Sequence, residues 1–161
     1  MDVPVEVLGV FEIENSDSPF VLLRDSEGRN IPIWVGPCEA VAIQTVLSGT
    51  IPSRPLTHDL ALTLLERLGA TLERVVIDDL SNKVFYAKLH LSTATVPLEI
   101  DARPSDALAL ALRAQAPVLI SDAVAEEAKL DHDIQITEEE IEHLGGEEPD
   151  FPPEEEPPAG R

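Results

Sequence analysis

The chain has 161 residues, of which 43% are apolar, enough to bury the core of one ordinary domain. Its single cysteine cannot form an internal disulfide, and no apolar run approaches the roughly 18 residues that span a bilayer. The formal net charge of −20 leaves no broad basic surface for nucleic acid to be read from composition. We therefore expect a cytoplasmic protein with no membrane association.

The negative charge is unevenly distributed along the chain. Residues 122–161 carry 15 acids and two bases, a net −13 of the total −20. From residue 138 onward, glutamate, proline and glycine dominate, and such a sequence has too little apolar surface to repay the entropy of ordering. These features predict one folded domain over residues 1–135 and a disordered acidic tail over residues 136–161.

Hydrophobic periodicity and turn residues divide the first half of the chain into three strands and two helices. Strands are predicted at residues 3–13, 20–23 and 31–35, with a bulge near Gly9 and a hairpin turn between the last two. A helix should begin at Pro37 and end before Ser48. A second should have Thr57 as its N-cap and stop at Gly69.

The second half of the chain continues this mixture of strands and helices. Strands are predicted at residues 71–77, 83–91 and 95–100, followed by a helix from Pro104, a short strand at 118–120 and a short helix at 122–129. Together the elements predict an α+β fold with a mostly antiparallel sheet.

One plan occurs twice in the sequence. A strand with proline at its second position, at residues 31–35 and again at 96–100, leads through Pro-x-acid-Ala into an apolar helix. The strands match at an offset of 65 residues (31 to 96) and the helices at 67 (37 to 104), so the second junction has two additional residues, at the place where Arg103 appears. The pattern predicts an internal duplication of a hairpin–Pro/acid–helix unit.

Acidic residues stand near the starts of both repeat helices. If Arg103 is an N-cap and Pro104 the first helical residue, Asp106 occupies the third position, and Glu39 occupies the matching position after Pro37. A carboxylate there faces the positive end of the helix dipole, an effect worth about 0.3–1 kcal/mol. Both acids therefore have a purely structural interpretation as helix caps, beside any catalytic one.

Three segments in order carry a resemblance to a known family. IPIWVG (31–36), RPLTHDL (54–60) and ARPSDA (102–107), the last followed by alternating alanine and leucine, resemble the bifunctional nuclease domain family, formerly a domain of unknown function. The resemblance covers roughly residues 3–133. It implies an α+β domain, often dimeric, whose members degrade both DNA and RNA. It implies no agreed catalytic set, and the acidic tail is not part of the family pattern.

Phosphodiester cleavage needs charge stabilisation at phosphorus, an activated water and usually a divalent metal held by carboxylates. His58 is a candidate general base, and its alternative is a surface residue covering a neighbouring strand. Candidate ligands for Mg²⁺ or Mn²⁺ are Asp59, Asp101, Asp106 and Glu39. Asp59 and Asp106 are also candidate catalytic residues, with the alternative that Asp59 only serves the helix dipole. No organic cofactor is evident.

Two arginines are candidates for binding phosphate. Arg54 and Arg103 each precede a proline, which favours extended backbone and can aim both guanidinium groups outward. Ser105 is placed with them at a helix start, where backbone N–H groups bind anions, although capping also explains a serine there. The structural alternative for Arg103, also a catalytic candidate, is an ion pair with Asp101 or Glu99.

Other residues are given structural interpretations. Cys38 is expected to be a buried small apolar residue, and Trp34 and Tyr86 to be core or interface side chains. With 4% aromatic content, a platform for stacking single-stranded bases is not expected. Helices rich in alanine and leucine, with apolar strand residues such as Leu89 and Leu91, suggest a homodimer.

Two classes of function stay open at this point. The first is a non-specific nuclease acting on DNA and RNA with a divalent metal. The second is a noncatalytic oligomeric binding or regulatory module, whose helix-start acids are caps.

Overall fold

A computed structural model describes residues 1–12 and 18–130 of the chain. It contains strands β1 (Asp2–Phe11), β2 (Phe20–Asp25), β3 (Asn30–Trp34), β4 (Thr71–Ser81), β5 (Val84–Ser92), β6 (Leu98–Ala102) and β7 (Val118–Ser121). The helices are α1 (Pro37–Leu47), α2 (Thr57–Arg67), α3 (Pro104–Ala114) and α4 (Asp122–Ala128). The predicted acidic tail at 136–161 lies outside the described residues.

The described strands form one seven-stranded sheet in the order β3-β2-β1-β7-β4-β5-β6. The β4–β7 pair is parallel, and the five other described pairs are antiparallel. The predicted α+β fold with a mostly antiparallel sheet is therefore confirmed. Each of the hairpins β2–β3 and β5–β6 leads into a proline-initiated helix, but the internal duplication itself stays a prediction.

The prolines of the two repeats differ in their position relative to the strands. Pro32 lies within β3, which is an edge strand and so does not need every backbone N–H for the ladder. Pro97 lies outside β6, which begins at Leu98 rather than at residue 95 as predicted. The preceding residues form a turn instead, in which Thr93 Oγ1 accepts the backbone N–H of Val96 at 3.1 Å.

The bulge predicted near Gly9 is confirmed by a register shift between Val7 and Gly9 in the pairing of β1 with β2. A Cβ atom added to Gly9 would lie 3.0 Å from the ring of Phe11. A larger residue at this position would therefore require the Phe11 ring to move by a few tenths of an ångström.

Helix α3 is the centre of the helical layer. It packs against α1, α2, β4 and β5, and its residues Ala107, Leu108, Ala109 and Ala111 are fully buried. Alanine at alternate positions allows neighbouring elements to approach closely. By contrast, α2 has no buried residue, and its leucines Leu60 and Leu64 are exposed. None of the described helices is long and apolar enough to cross a membrane.

The edges of the sheet approach each other although they are the first and last strands in its order. A cleft of about 420 Å³ is lined by Trp34 at the end of β3, by Lys83 in the β4–β5 turn and by Arg103 directly after β6. The sheet therefore curls, and this curvature brings the starts of α1 and α3 together.

Candidate active site

The starts of α1 and α3 have the predicted geometry. Gly36 and Arg103 are extended N-cap residues, each followed by proline, which places Glu39 and Asp106 at the third helical position. Local sequence alone fixes these positions. Proline lacks a backbone N–H, and the first turn of a helix is the one place where the helix does not need that N–H for an internal hydrogen bond.

The start of α2 differs from the prediction by one residue. Thr57 is the first helical residue and Leu56 is the N-cap, so the predicted Thr57 cap is wrong. The reason is that Asp59 Oδ2 accepts the backbone N–H of Leu56 at 2.7 Å and closes the helix start from its third position.

Four side chains from the three helix starts meet in one network, which we call the Arg103 cluster: Glu39, His58, Arg103 and Asp106. Asp106 accepts hydrogen bonds from His58 Nε2 at 2.9 Å and from Arg103 Nε at 2.8 Å, one on each carboxylate oxygen. Arg103 Nη1 donates to Glu39 Oε1 at 2.9 Å. Arg103 thus pairs with these two acids rather than with Asp101 or Glu99, its predicted alternatives.

The charge state of Asp106 determines the tautomer of His58. Burial raises the pKa of Asp106, but hydrogen bonds from Arg103 and His58 outweigh that effect and hold the pKa below its ordinary value of 3.8. The carboxylate is therefore ionised at neutral pH and can only accept. His58 Nε2 must then carry the proton, and in the neutral ring Nδ1 has a free lone pair.

Arg103 keeps hydrogen-bonding capacity for a further anion. Its hydrogen bonds to Asp106 and then Glu39 raise the pKa of the guanidinium, which is permanently charged in any case. Only Nε and Nη1 are committed to these acids, and the side chain is 66% exposed. The remaining N–H groups can contact a phosphate.

Asp59 belongs to a second network beside the cluster. Its Oδ1 accepts from Arg113 Nε at 2.7 Å, and Arg113 Nη1 also donates to the backbone carbonyls of Ala42 and Ala109. Burial raises the pKa of Asp59, but hydrogen bonds from the Leu56 backbone and from Arg113 outweigh that effect and leave the pKa below its ordinary value. These contacts favour the structural interpretation of Asp59.

An Arg113→Ala variant should be less stable than wild type by about 2 kcal/mol. The Arg113 side chain is 7% exposed and Asp59 is 31% exposed, so the cost falls between those of exposed and buried ion pairs. Urea unfolding monitored by circular dichroism measures the difference. Arg67→Ala, at the exposed end of α2, is the control and should change stability by less than about 0.5 kcal/mol. Equal midpoints for the two variants would contradict the assignment.

Stability should also decrease in acid. The pKa values of Asp25, Asp59 and Asp106 are lowered by folding, so the unfolded chain binds protons more readily. Their contribution is fully present above the unfolded pKa of about 3.9 and is lost as pH falls toward the folded values. We expect these groups to hold the free energy of unfolding nearly constant between about pH 7 and 5 and to lower it steeply below about pH 4.

Urea unfolding between pH 7 and 3 tests this dependence. Arg113→Gln should weaken the acid-dependent loss because it removes one of the contacts that lower the pKa of Asp59. A wild-type free energy that is unchanged at pH 3 would show that these carboxylates do not contribute as described.

The remaining candidates lie apart from the cluster. Asp101 is exposed on β6 opposite Lys88 of β5, and Arg54 is exposed in the loop between α1 and α2. Among the described residues, neither forms a hydrogen bond or ion pair with the Arg103 cluster. Ser105 is 7% exposed at the second position of α3 and lines the cleft beside Arg103.

The carboxylates do not form a metal centre in this arrangement. Within residues 1–12 and 18–130, no group of three or more His, Cys, Asp or Glu side chains could hold a metal ion. Both oxygens of Asp106 are occupied by Arg103 and His58, and Glu39 is paired with the same guanidinium. A divalent cation bound there would have to displace Arg103 from its two acids, and the ligand set stays a prediction.

Sequence reasoning misjudged or missed several residues. Cys38 is exposed at the second position of α1, not buried, because the buried face of that helix begins at Ala40. Arg113 was missed, since its only local signal is a basic residue in the last turn of α3. Trp34, for which a core or interface position is predicted, is 51% exposed and lines the cleft.

The curled sheet, the three helix starts and the basic–acidic cluster define an α+β domain with a compact polar site. Comparison with known families identifies it: the bifunctional nuclease domain matches residues 21–133, and the chain belongs to that family.

Individual relatives extend this assignment. The chain is 41% identical over 127 residues to the uncharacterized protein Rv1829 of Mycobacterium tuberculosis, covering 78% of this chain and 76% of that protein. It is 24% identical over 117 residues to bifunctional nuclease 2 of Oryza sativa subsp. japonica, covering 70% of this chain and 36% of that protein. Bifunctional nuclease 1 of Arabidopsis thaliana is 24% identical over 112 residues, with 66% and 34% covered. The chain thus spans about a third of these plant proteins.

Proposed function

We propose that this protein is a nuclease that hydrolyses phosphodiester bonds in both DNA and RNA without sequence preference. The observation that carries the proposal is the contact of one carboxylate, Asp106, with both a histidine and an exposed arginine. Membership in the bifunctional nuclease domain family and the names of the plant relatives support the substrate class.

In the proposed reaction, His58 is the general base. Its Nδ1 accepts a proton from water as the water oxygen bonds to phosphorus, and the bond between phosphorus and the leaving oxygen breaks. The leaving oxygen then takes a proton from His58 or from solvent. Asp106 orients the imidazole and stabilises its charged form, while Arg103 stabilises the additional negative charge on the phosphate oxygens.

The cluster itself is a weak site for an anion. With His58 neutral, it contains one cation, Arg103, and two anions, Glu39 and Asp106. A phosphate on the remaining N–H groups of Arg103 is therefore repelled by the two nearby carboxylates, and further contacts with the substrate must supply affinity.

A cleavage assay tests the proposal. Single- and double-stranded DNA and RNA are incubated with wild type and with Asp106→Asn, a variant of nearly equal shape that cannot hold Arg103 by charge. Asp2→Asn, which alters an exposed acid of β1 outside the cluster and outside the proposed ligand set, is the control. We expect cleavage by wild type and Asp2→Asn and a loss of at least about 10²-fold in Asp106→Asn. Equal activity in all three folded proteins would rule out this site.

Metal dependence is a separate part of the proposal. We propose Mg²⁺ or Mn²⁺ as the activating ion, with Asp59, Asp101, Asp106 and Glu39 as candidate ligands after rearrangement. Repeating the assay with each metal and with a chelator measures the dependence. Undiminished cleavage in chelator would assign the chemistry to His58 and Arg103 alone.

A noncatalytic binding module is the second candidate, and one observation favours it. Both carboxylates of the cluster are already ion-paired with Arg103, as expected for structural residues. Failure of wild type to cleave any substrate with any metal, combined with binding of an anionic ligand, would favour this function.

We also propose a cytoplasmic homodimer. Val84 and Tyr86 of β5 and Leu98 and Ile100 of the edge strand β6 are each more than 40% exposed and provide apolar surface. Leu89 and Leu91, by contrast, are buried in the monomer core. Sedimentation velocity at micromolar concentration should give the dimer mass, and the monomer mass alone would rule the dimer out.

A further inference from the structure

The cleft beside the Arg103 cluster is lined by an aromatic side chain, by two cations and by one acid, Glu39, which is paired with Arg103. It has a volume of about 420 Å³, within the range of roughly 300–1,000 Å³ for small-molecule sites. Trp34 lines it with a side chain that is 51% exposed, and Arg103 lines it with a guanidinium that also contacts Asp106. Lys83 provides the second cation.

Trp34 is held in place from one side. Its ring centroid lies 5.1 Å from that of Phe20, at an interplanar angle of 55°, and Phe20 is only 3% exposed. This contact restrains the indole while half of its side-chain surface stays exposed. A large aromatic ring fixed in this way can stack on a planar ligand with little loss of conformational entropy.

Lys83 occupies a backbone position that normally favours glycine. Asn82 and Lys83 are the central residues of the two-residue turn between β4 and β5, with φ values of 51° and 65°. Such turns prefer glycine at the second position, so a lysine there is not explained by the turn itself. Lys83 forms no ion pair with a described residue, which leaves its ammonium group available.

We propose that this cleft binds an unpaired nucleotide of the substrate, with its base stacked on Trp34 and its phosphates contacted by Arg103 and Lys83. The identification of the ligand as nucleic acid rests on the proposed function. Stacking on an aromatic side chain and charge-assisted contacts with the backbone are the two means by which proteins bind single strands. Bases within a duplex are stacked on their neighbours, so the cleft selects single-stranded DNA or RNA.

The position of the cleft connects binding with chemistry. Arg103 lines the cleft and also contacts Asp106, which holds the proposed general base His58, so one guanidinium joins the cleft to the cluster. Lys83 and Trp34 would also supply the affinity that the cluster, with two acids and one arginine, lacks.

The single tryptophan of the chain makes the proposal directly measurable. The fluorescence of Trp34 is recorded while wild type is titrated with an oligothymidylate strand of about eight nucleotides, and then with the same strand annealed to oligodeoxyadenylate. We expect quenching by the single strand and little change with the duplex. Electrophoresis after each titration confirms that the strand is intact.

Variants with a labelled strand, measured by anisotropy, identify the contacts. Trp34→Ala should weaken binding by about 5- to 150-fold, the effect of losing one base–aromatic stack, and Trp34→Phe should lie between it and wild type. Lys83→Gly should weaken binding. It should also reduce the steepness of the plot of log binding constant against log salt concentration by about 0.7, the value for one phosphate contact with a single strand. Because glycine suits the turn, Lys83→Gly should not lower stability, which separates binding from folding. Arg67→Ala, which removes a cation outside the cleft, should bind like wild type.

The inference would be overturned by wild-type affinity in Trp34→Ala, or by equal affinity of wild type for the single strand and the duplex. Absence of binding to either form would overturn it too. The cleavage assay tests the proposed function separately. If wild type cleaves nucleic acid but Trp34 contributes nothing to binding, only the proposed nucleotide-binding role of the cleft is rejected. Strand binding through Trp34 without cleavage rejects only the nuclease.

Discussion

A His58→Gln variant is expected to lose about 10²- to 10⁴-fold in the rate of phosphodiester cleavage, the usual contribution of a general base. Glutamine can still donate a hydrogen bond to Asp106, so the contact with α3 is kept while the lone pair of Nδ1 is removed. Initial rates on single-stranded DNA under saturating substrate measure the effect on the chemical step.

His90→Gln is a closely matched control for this prediction. The side chain of His90 is 16% exposed, against 15% for His58. His90 also lies near an acid, Glu99, and an arginine, Arg74, but it belongs to β5 rather than to a helix start. We expect its cleavage rate to stay within about twofold of wild type. If the two variants lose activity equally while both remain folded, His58 is not the base.

The local sequence was sufficient to predict two of the three helix starts that build this site, those of α1 and α3. Proline at Pro37 and Pro104 predicts the first helical residue without any tertiary information, and Glu39 and Asp106 follow at a fixed spacing. The mostly antiparallel sheet followed from alternating strands and turn residues in the same way. Only short-range backbone preferences are needed for these features.

The pairing of the site residues could not be predicted from the sequence. His58 and Asp106 are 48 residues apart, and Glu39 and Arg103 are 64 apart. Their contacts depend on the curl of the sheet and on which helices flank α3, and no periodicity within one element contains that information. For this reason Arg103 was assigned the nearby acids Asp101 and Glu99 instead of Glu39.

Exposure was also difficult to predict. Trp34 ends an edge strand, so a large apolar residue that would be buried in a central strand lies half exposed in the cleft. Burial of such a residue depends on its neighbours in space, so composition alone does not predict the exposed aromatic side chain in the cleft.

The largest effect on stability is expected from Arg29→Ala. Arg29 Nε contacts Asp25 at 2.5 Å in the β2–β3 turn, and its other nitrogens contact Asp122 at 2.8 Å and Glu126 at 3.2 Å in α4. The Asp25 side chain is fully buried and that of Arg29 is 11% exposed, whereas both acids of α4 are more than half exposed. Removing Arg29 therefore leaves one buried carboxylate without its cation, at a cost of about 3 kcal/mol.

The exposed acids Asp122 and Glu126 add little to this cost, and most of it comes from the buried, ionised carboxylate of Asp25. Burial raises the pKa of Asp25, while backbone and side-chain hydrogen bonds from Arg29 together with that from the Glu27 backbone lower it below its ordinary value. In an Asp25→Asn background, the buried charge is already absent, so Arg29→Ala should cost much less. The difference between the two backgrounds is the coupling energy of the pair.

Arg24→Ala provides the comparison for guanidinium denaturation of Arg29→Ala. Arg24 precedes the same turn, but its Nε donates at 2.9 Å to the neutral side chain of Asn30, so its loss should cost about 0.5–1.5 kcal/mol. For a domain whose total stability is about 5–15 kcal/mol, the two variants should have clearly separated midpoints. Coincident midpoints, or an equal effect of Arg29→Ala in the Asp25→Asn background, would show that the buried Asp25–Arg29 pair is not the main source of the lost stability.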